Sequence, residues 1–97
     1  HMDGMTIDEE GMLWIALFGG WCVDRYNPQT GVLLERLLLP VEQVTSVAFA
    51  GEHLDEMYIT SCRYLMSEQA LEEQPLAGSL LKAKMDVRGV NAYEFWG

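Results

Sequence analysis

Short apolar or alternating runs, separated by glycine, proline and acidic turns, recur along the chain, and their period of two predicts strands. Met5 to Asp8 is the first run, closed by a turn at Glu9-Glu10-Gly11. Leu13-Trp14-Ile15-Ala16-Leu17-Phe18 is continuous in aromatic and aliphatic residues, as expected of a strand covered on both faces. Gly19-Gly20 permits a reversal into Trp21 to Tyr26, where Cys22, Asp24 and Tyr26 alternate with Val23 and Arg25 and give the strand one wetter face. Asn27-Pro28-Gln29-Thr30-Gly31 is a turn, with Pro pre-setting φ and Gly accepting a positive φ. Val32 to Leu39 makes a fourth strand, stopped by Pro40.

The pattern then restarts. Val44 to Phe49 predicts a strand, Ala50 to Asp55 a loop, and Glu56 to Cys62 a strand. Residues 67–74 depart from alternation: Ser67 can cap a helix, Glu68 suits its first turn and Pro75 ends it, which predicts one short helix. Ser79 to Met85 and Tyr93 to Trp96 complete the second set of strands. Thr6-Ile7-Asp8, Gly11 and Leu13-Trp14-Ile15-Ala16 parallel Ser46-Val47-Ala48-Phe49, Gly51 and Met57-Tyr58-Ile59-Thr60. The repeat of about 44 residues is that of a four-stranded propeller blade. Periodicity alone leaves a small β-sandwich or barrel open.

Composition narrows the function classes. The 97 residues suffice for one small domain, and 49% are hydrophobic. No apolar run approaches the roughly 20 residues needed to cross a bilayer, since Val32 to Pro40 is interrupted by Glu35 and Arg36. The opening His1-Met2-Asp3 carries no basic n-region or apolar h-region, and residues 1–2 read as the remnant of a cleaved tag. A net charge of −9 with six scattered basic residues argues against nucleic acid. The reading is an acidic cytoplasmic protein suited to cations or a basic partner, with no membrane contact. Cys22 and Cys62 lack CxxC spacing and read as reduced strand residues.

Specific strings carry a resemblance. Asp3-Gly4-Met5-Thr6-Ile7-Asp8-Glu9-Glu10-Gly11 with Leu13-Trp14-Ile15-Ala16, then Gly19-Gly20 with Val23 and Arg25, then Pro28 with Thr30-Gly31, follow one another in order. Leu39-Pro40-Val41, Thr45-Ser46, Ala48-Phe49, Tyr58-Ile59-Thr60-Ser61 with Arg63, Gln74-Pro75-Leu76-Ala77-Gly78 and Val87-Arg88-Gly89-Val90 continue in register. Together they resemble the C-terminal portion of the gluconolactonase/regucalcin (senescence-marker protein) family. The chain departs from the family's usual residues at Val47 (often Cys), Ala50 (Gly), Ser79 (Gly) and Leu81 (Phe). The resemblance implies an all-β fold: about two four-stranded antiparallel blades of a six-bladed β-propeller, 3–41 and 42–97, forming one partial propeller with a short helix near 67–74.

The same resemblance implies a metal-dependent hydrolysis of sugar lactones at the mouth of the central channel. Asp3 stands where the family has a metal ligand and proposed general base. The cation, calcium, zinc, magnesium or manganese, would be held by oxygens, polarise the lactone carbonyl and acidify a bound water. The family's other ligands and its substrate-binding side chains lie upstream of this segment, so no tight cation binding and little activity are expected of this chain. The residues of the chain itself offer little else. Asp8-Glu9-Glu10 reads as a solvated turn, His53 as a surface residue, and Glu72-Glu73 as solvated. Ser46 and Ser61 lack a Gly-x-Ser-x-Gly elbow. Trp14, Phe49 and Tyr58 read as core, and Trp21 as a candidate for the channel mouth or a partner surface.

Blades stack on neighbours, so two alone leave a face uncovered at each end. An interface of roughly 600 Å² left open forfeits on the order of 8–15 kcal/mol. That is comparable with a domain's whole stability of about 5–15 kcal/mol. Self-association is therefore expected, as a homotrimer that counts to six blades or as a homodimer. The rival to a fragment or shortened relative of a lactonase is a non-enzymatic, self-associating or cation-binding module.

Overall fold

The computed structural model of the chain describes residues 2–90. Within each sheet successive apolar runs pair as antiparallel neighbours, most of them through a short reversal that satisfies their backbone groups cheaply, while the strands at 56–61 and 80–84 are joined through a helical segment. The first sheet is an antiparallel meander of β1 (Met2–Ile7), β2 (Leu13–Leu17), β3 (Cys22–Tyr26) and β4 (Leu33–Leu38). The second holds β5 (Val44–Ala50), β6 (Glu56–Ser61) and β7 (Leu80–Lys84), again antiparallel and in chain order. Among the described residues it has three strands where four were expected, and the fourth, at 93–96, lies outside them. The first strand begins earlier than its pattern suggested, at Met2 rather than Met5, because Met2 pairs with Leu17 across a bulge that precedes Met5.

Helix α1 (Glu68–Glu73) falls within the predicted span. Ser67 caps it by accepting a hydrogen bond from the Ala70 amide at 3.1 Å, and Gln74 ends it before Pro75. The helix has no buried residue of its own. Gln74 is buried instead, and its Oε1 accepts from the Glu42 amide at 2.8 Å, tying the helical turn to the segment between the sheets.

The core lies between the two sheets. Trp14, Ala16 and Val23 of the first sheet meet Val47, Met57 and Ile59 of the second, with Val41 and Val44 contributed where the chain passes from one to the other. Trp14 is 1% exposed and meets the Phe49 ring edge-on, centroids 6.2 Å apart. Its burial alone is worth about 2–3 kcal/mol. Val47 is fully at home in this apolar layer. The inner strands β1 and β5 approach so closely that a Cβ on Gly4 would lie 2.9 Å from the Ser46 Cα. Glycine is required there by backbone contact.

Two readings of individual residues change. Tyr58 is half-buried and points away from the inter-sheet core, because it alternates with Met57 and Ile59, which fill it. The face of β3 that carries Asp24 is not wet: Asp24 is 0% exposed and Cys22 nearly so, because Arg36 from β4 neutralises the carboxylate in place.

Candidate functional site

One end of the paired sheets gathers the start of β1, the β2–β3 turn, the 39–43 connection and the segment after β6. Hydrogen bonds hold these together. The Gly19 and Trp21 amides donate to the Glu42 carbonyl at 3.0 and 3.3 Å, and the Cys62 amide donates to the Gln43 carbonyl at 3.0 Å. The Gln43 side-chain amide donates to the Tyr64 carbonyl at 2.9 Å. Phe18 bridges to Gln43 along the backbone.

Asp3 belongs to this end, because Met2 pairs with Leu17 just before the turn. It is exposed, and the neighbouring Gly4 lies against Thr45 and Ser46 of β5. Thr45 and Thr60 share a hydrogen bond between their hydroxyls at 2.8 Å. Trp21, 40% exposed with φ 60°, and Tyr64, 68% exposed, stand on the rim. The Trp21 backbone is in the left-handed region that bulky residues rarely adopt, and the turn that places it there presents its ring outward.

Chemically, the end offers one carboxylate, hydroxyl oxygens and exposed aromatic surface. Asp3 fits as one oxygen ligand of a hard cation. Among the described residues no group of three or more His, Cys, Asp or Glu side chains could hold a metal ion. A cation of the calcium class takes about six to eight oxygens, so most would have to come from elsewhere.

Ser46 lies against Gly4 and Trp21 stands on the rim of this end, but the His, Cys and Glu candidates form no group of three or more with Asp3 among the described residues. His53 is exposed in the loop before β6. Ser61 Oγ accepts from the Gly78 amide and donates to the Ser79 carbonyl, which makes it a brace for the turn that starts β7. Glu72 and Glu73 are exposed on α1. Cys22 and Cys62 are both free, and burial pushes the Cys22 thiol up, helped by the hydrogen bond and charge of Asp24.

Two buried carboxylate networks escaped the sequence reading. Asp8 was expected in a solvated turn, yet it is 1% exposed. Its carboxylate accepts from Trp14 Nε1 and Arg25 Nε, each at 2.9 Å, and from the Glu10 and Met12 amides. Arg25 also pairs with Glu10 at 3.1 Å and Glu35 at 3.2 Å, and its guanidinium lies 5.6 Å from the Trp14 ring centroid. Burial works against the Arg25 charge, but hydrogen bonds to Asp8 and Glu10 prevail and raise its pKa. In the second network, Arg36 donates to both Asp24 oxygens at 2.7 and 2.8 Å, and Tyr26 donates at 3.3 Å. The Arg36 hydrogen bonds hold the Asp24 carboxyl below its usual range, overcoming desolvation. The available signal was register: Trp14 lies opposite Arg25, and Asp24 opposite Arg36. Both networks fasten strands and neither reaches Asp3's end of the molecule as a ligand.

Comparison with known proteins agrees with the fold. Residues 1–63 match the family model described as the SMP-30/Gluconolactonase/LRE-like region. Regucalcin of Danio rerio is 44% identical over 96 residues, which cover 98% of this chain and 32% of that protein. Regucalcin of Homo sapiens is 42% identical over the same shares. Among solved structures, a calcium-binding protein, regucalcin, from Agrobacterium tumefaciens superposes with a TM-score of 0.85 at 32% identity. The superposition covers 92% of this chain and 30% of that one. A luciferin-regenerating enzyme superposes at 0.76 with 38% identity, over the same shares. The chain spans about a third of the length of these relatives, and its two sheets correspond to about two adjacent blades of their β-propeller. A family match over residues 1–63, relatives above 40% identity and a shared fold agree: the chain belongs to the SMP-30/gluconolactonase/LRE-like family, as a part of its ring.

Proposed function

We propose that the chain supplies one corner of a divalent-cation-dependent site for hydrolysing a sugar lactone, with Asp3 as its acting residue. The observation that carries this reading is the position of Asp3. It lies within the segment matched by the family model, exposed at the end of the sheets where three connecting segments converge. When bound there, a cation would supply Lewis acidity toward the lactone carbonyl. The Asp3 carboxylate orients a water and takes its proton as the oxygen adds to the carbonyl carbon. The ring C–O ester bond then breaks, the departing alkoxide is protonated, and a hydroxy acid leaves. Since the described residues offer no group of three ligands, the turnover expected of this chain is weak, though above the spontaneous rate. Cytoplasmic action on a small soluble substrate belongs to the same reading.

The test is gluconolactone opening by the whole chain with Ca²⁺, Zn²⁺, Mn²⁺ or Mg²⁺ against chelator, for wild type and Asp3→Asn. Turnover above the spontaneous rate that needs a cation and is lost in Asp3→Asn supports the reading. Cation-dependent turnover that Asp3→Asn leaves intact contradicts it. The absence of turnover from a folded, assembled chain favours a second reading, a non-enzymatic self-associating module. The outward apolar side chains Met5, Leu38 and Leu80, 54%, 74% and 62% exposed, support that second reading.

A further inference from the structure

The two sheets share one register, and comparing equivalent positions shows which surfaces stand uncovered. Met5 lies opposite Ile15 and Ile7 opposite Leu13, as Val47 lies opposite Ile59 and Phe49 opposite Met57. Trp14 then corresponds to Tyr58. Val23, opposite Ala16, corresponds to Leu80, opposite Thr60, while Arg25 and Lys82 face the two aromatic residues from the third strands.

Equivalent residues meet opposite fates. Val47 is 3% exposed and sealed by Trp14 and its neighbours, but its counterpart Met5 is 54% exposed. Val23 is 0% exposed, but its counterpart Leu80 is 62% exposed. The outward face of the first sheet thus repeats the face of the second that is already covered within the chain. The outward face of the second sheet, with Tyr58 and Leu80, repeats the face of the first that does the covering.

We propose that a second copy of this chain docks head to tail on these surfaces. The outward face of its second sheet, led by Tyr58 and Leu80, lies on the outward face of the first sheet around the exposed Met5 and Leu38. The contact reuses the packing seen between the two sheets of one chain. Because it joins unlike surfaces, it must close into a ring or run on as a filament. One chain matches 32% of a regucalcin, so three copies supply the length of one such ring and close it. The proposal does not depend on any catalysis.

Light scattering or sedimentation velocity of the whole chain at tens of micromolar tests it. The expected mass is about 33 kDa, three times the 11.0 kDa of one chain. Met5→Glu and Leu80→Asp change side chains that are exposed in the single chain, so each should keep its far-UV circular dichroism while falling to single-chain mass. Each variant retains one intact face, so mixing the two should restore association into pairs. A single-chain mass for wild type overturns the proposal and assigns both faces to other polypeptide. A dimer dissolved by only one of the substitutions, or a mixture that does not associate, overturns the head-to-tail geometry.

Discussion

At the scale of single residues, the most consequential feature is a carboxylate with no contact to solvent on an outward sheet face. Asp24 is 0% exposed, and its charge is held by two hydrogen bonds from Arg36 and one from Tyr26. Because its folded pKa is lowered, chiefly by Arg36, its contribution is fully present above the ordinary carboxylate value of about 3.9 and is lost as pH falls through the lower folded value. Urea midpoints of wild type and Asp24→Asn should therefore differ most near neutrality and converge below about pH 3.9. A gap that stays constant into that acid range would remove the ion pair from the account. Asp24 also shows what a one-dimensional pattern conceals. Alternation at Cys22, Asp24 and Tyr26 correctly separates the two faces of the strand. It says nothing of Arg36, which comes from twelve residues away and changes an apparently wet face into a closed one.

At the scale of elements, the strands were largely legible because glycine and proline punctuate them and apolar runs are short. Gly19-Gly20, the Asn27–Gly31 turn and Pro40 each separate strands where expected, and Ser67 and Pro75 bracket the helix. What the pattern missed was the bond between elements. Asp8 follows β1, Trp14 lies on β2 and Arg25 on β3, and the Asp8 carboxylate joins all three. The same segment reaches the stretch that follows β7, with the Glu9 amide donating to the Arg88 carbonyl at 2.7 Å. Asp-Glu-Glu in a turn usually means solvent, and only the fold reveals that a tryptophan and an arginine lie under it. Asp8→Ala should cost about 3–5 kcal/mol, since it leaves a nearly buried guanidinium and an indole N–H without their partner. Chemical denaturation measures this, and a loss under about 1 kcal/mol, the level of an exposed pair, would contradict it.

At the scale of the whole molecule, the chain is two stacked sheets whose covered surfaces recur, uncovered, on its outside. The blade repeat was legible from the spacing of Trp14 and Tyr58, and so was the family, because its strings run along most of the chain. The candidate site was legible only as a single position. Asp3 stands at the converging end, and among the described residues no group of three or more His, Cys, Asp or Glu side chains gathers there to mark a site. Tyr58 illustrates the same limit in packing terms. Its repeat position marks it as core, yet within the single chain it is only half-buried, on an outward face.

The stacking of the two sheets carries the whole account, and a nuclear Overhauser spectrum of the aromatic region tests it most directly. The Trp14 indole should show cross-peaks to the edge of the Phe49 ring and to side chains of the second sheet such as Met57 and Ile59. A Trp14 indole whose cross-peaks stay within its own sheet would contradict the account.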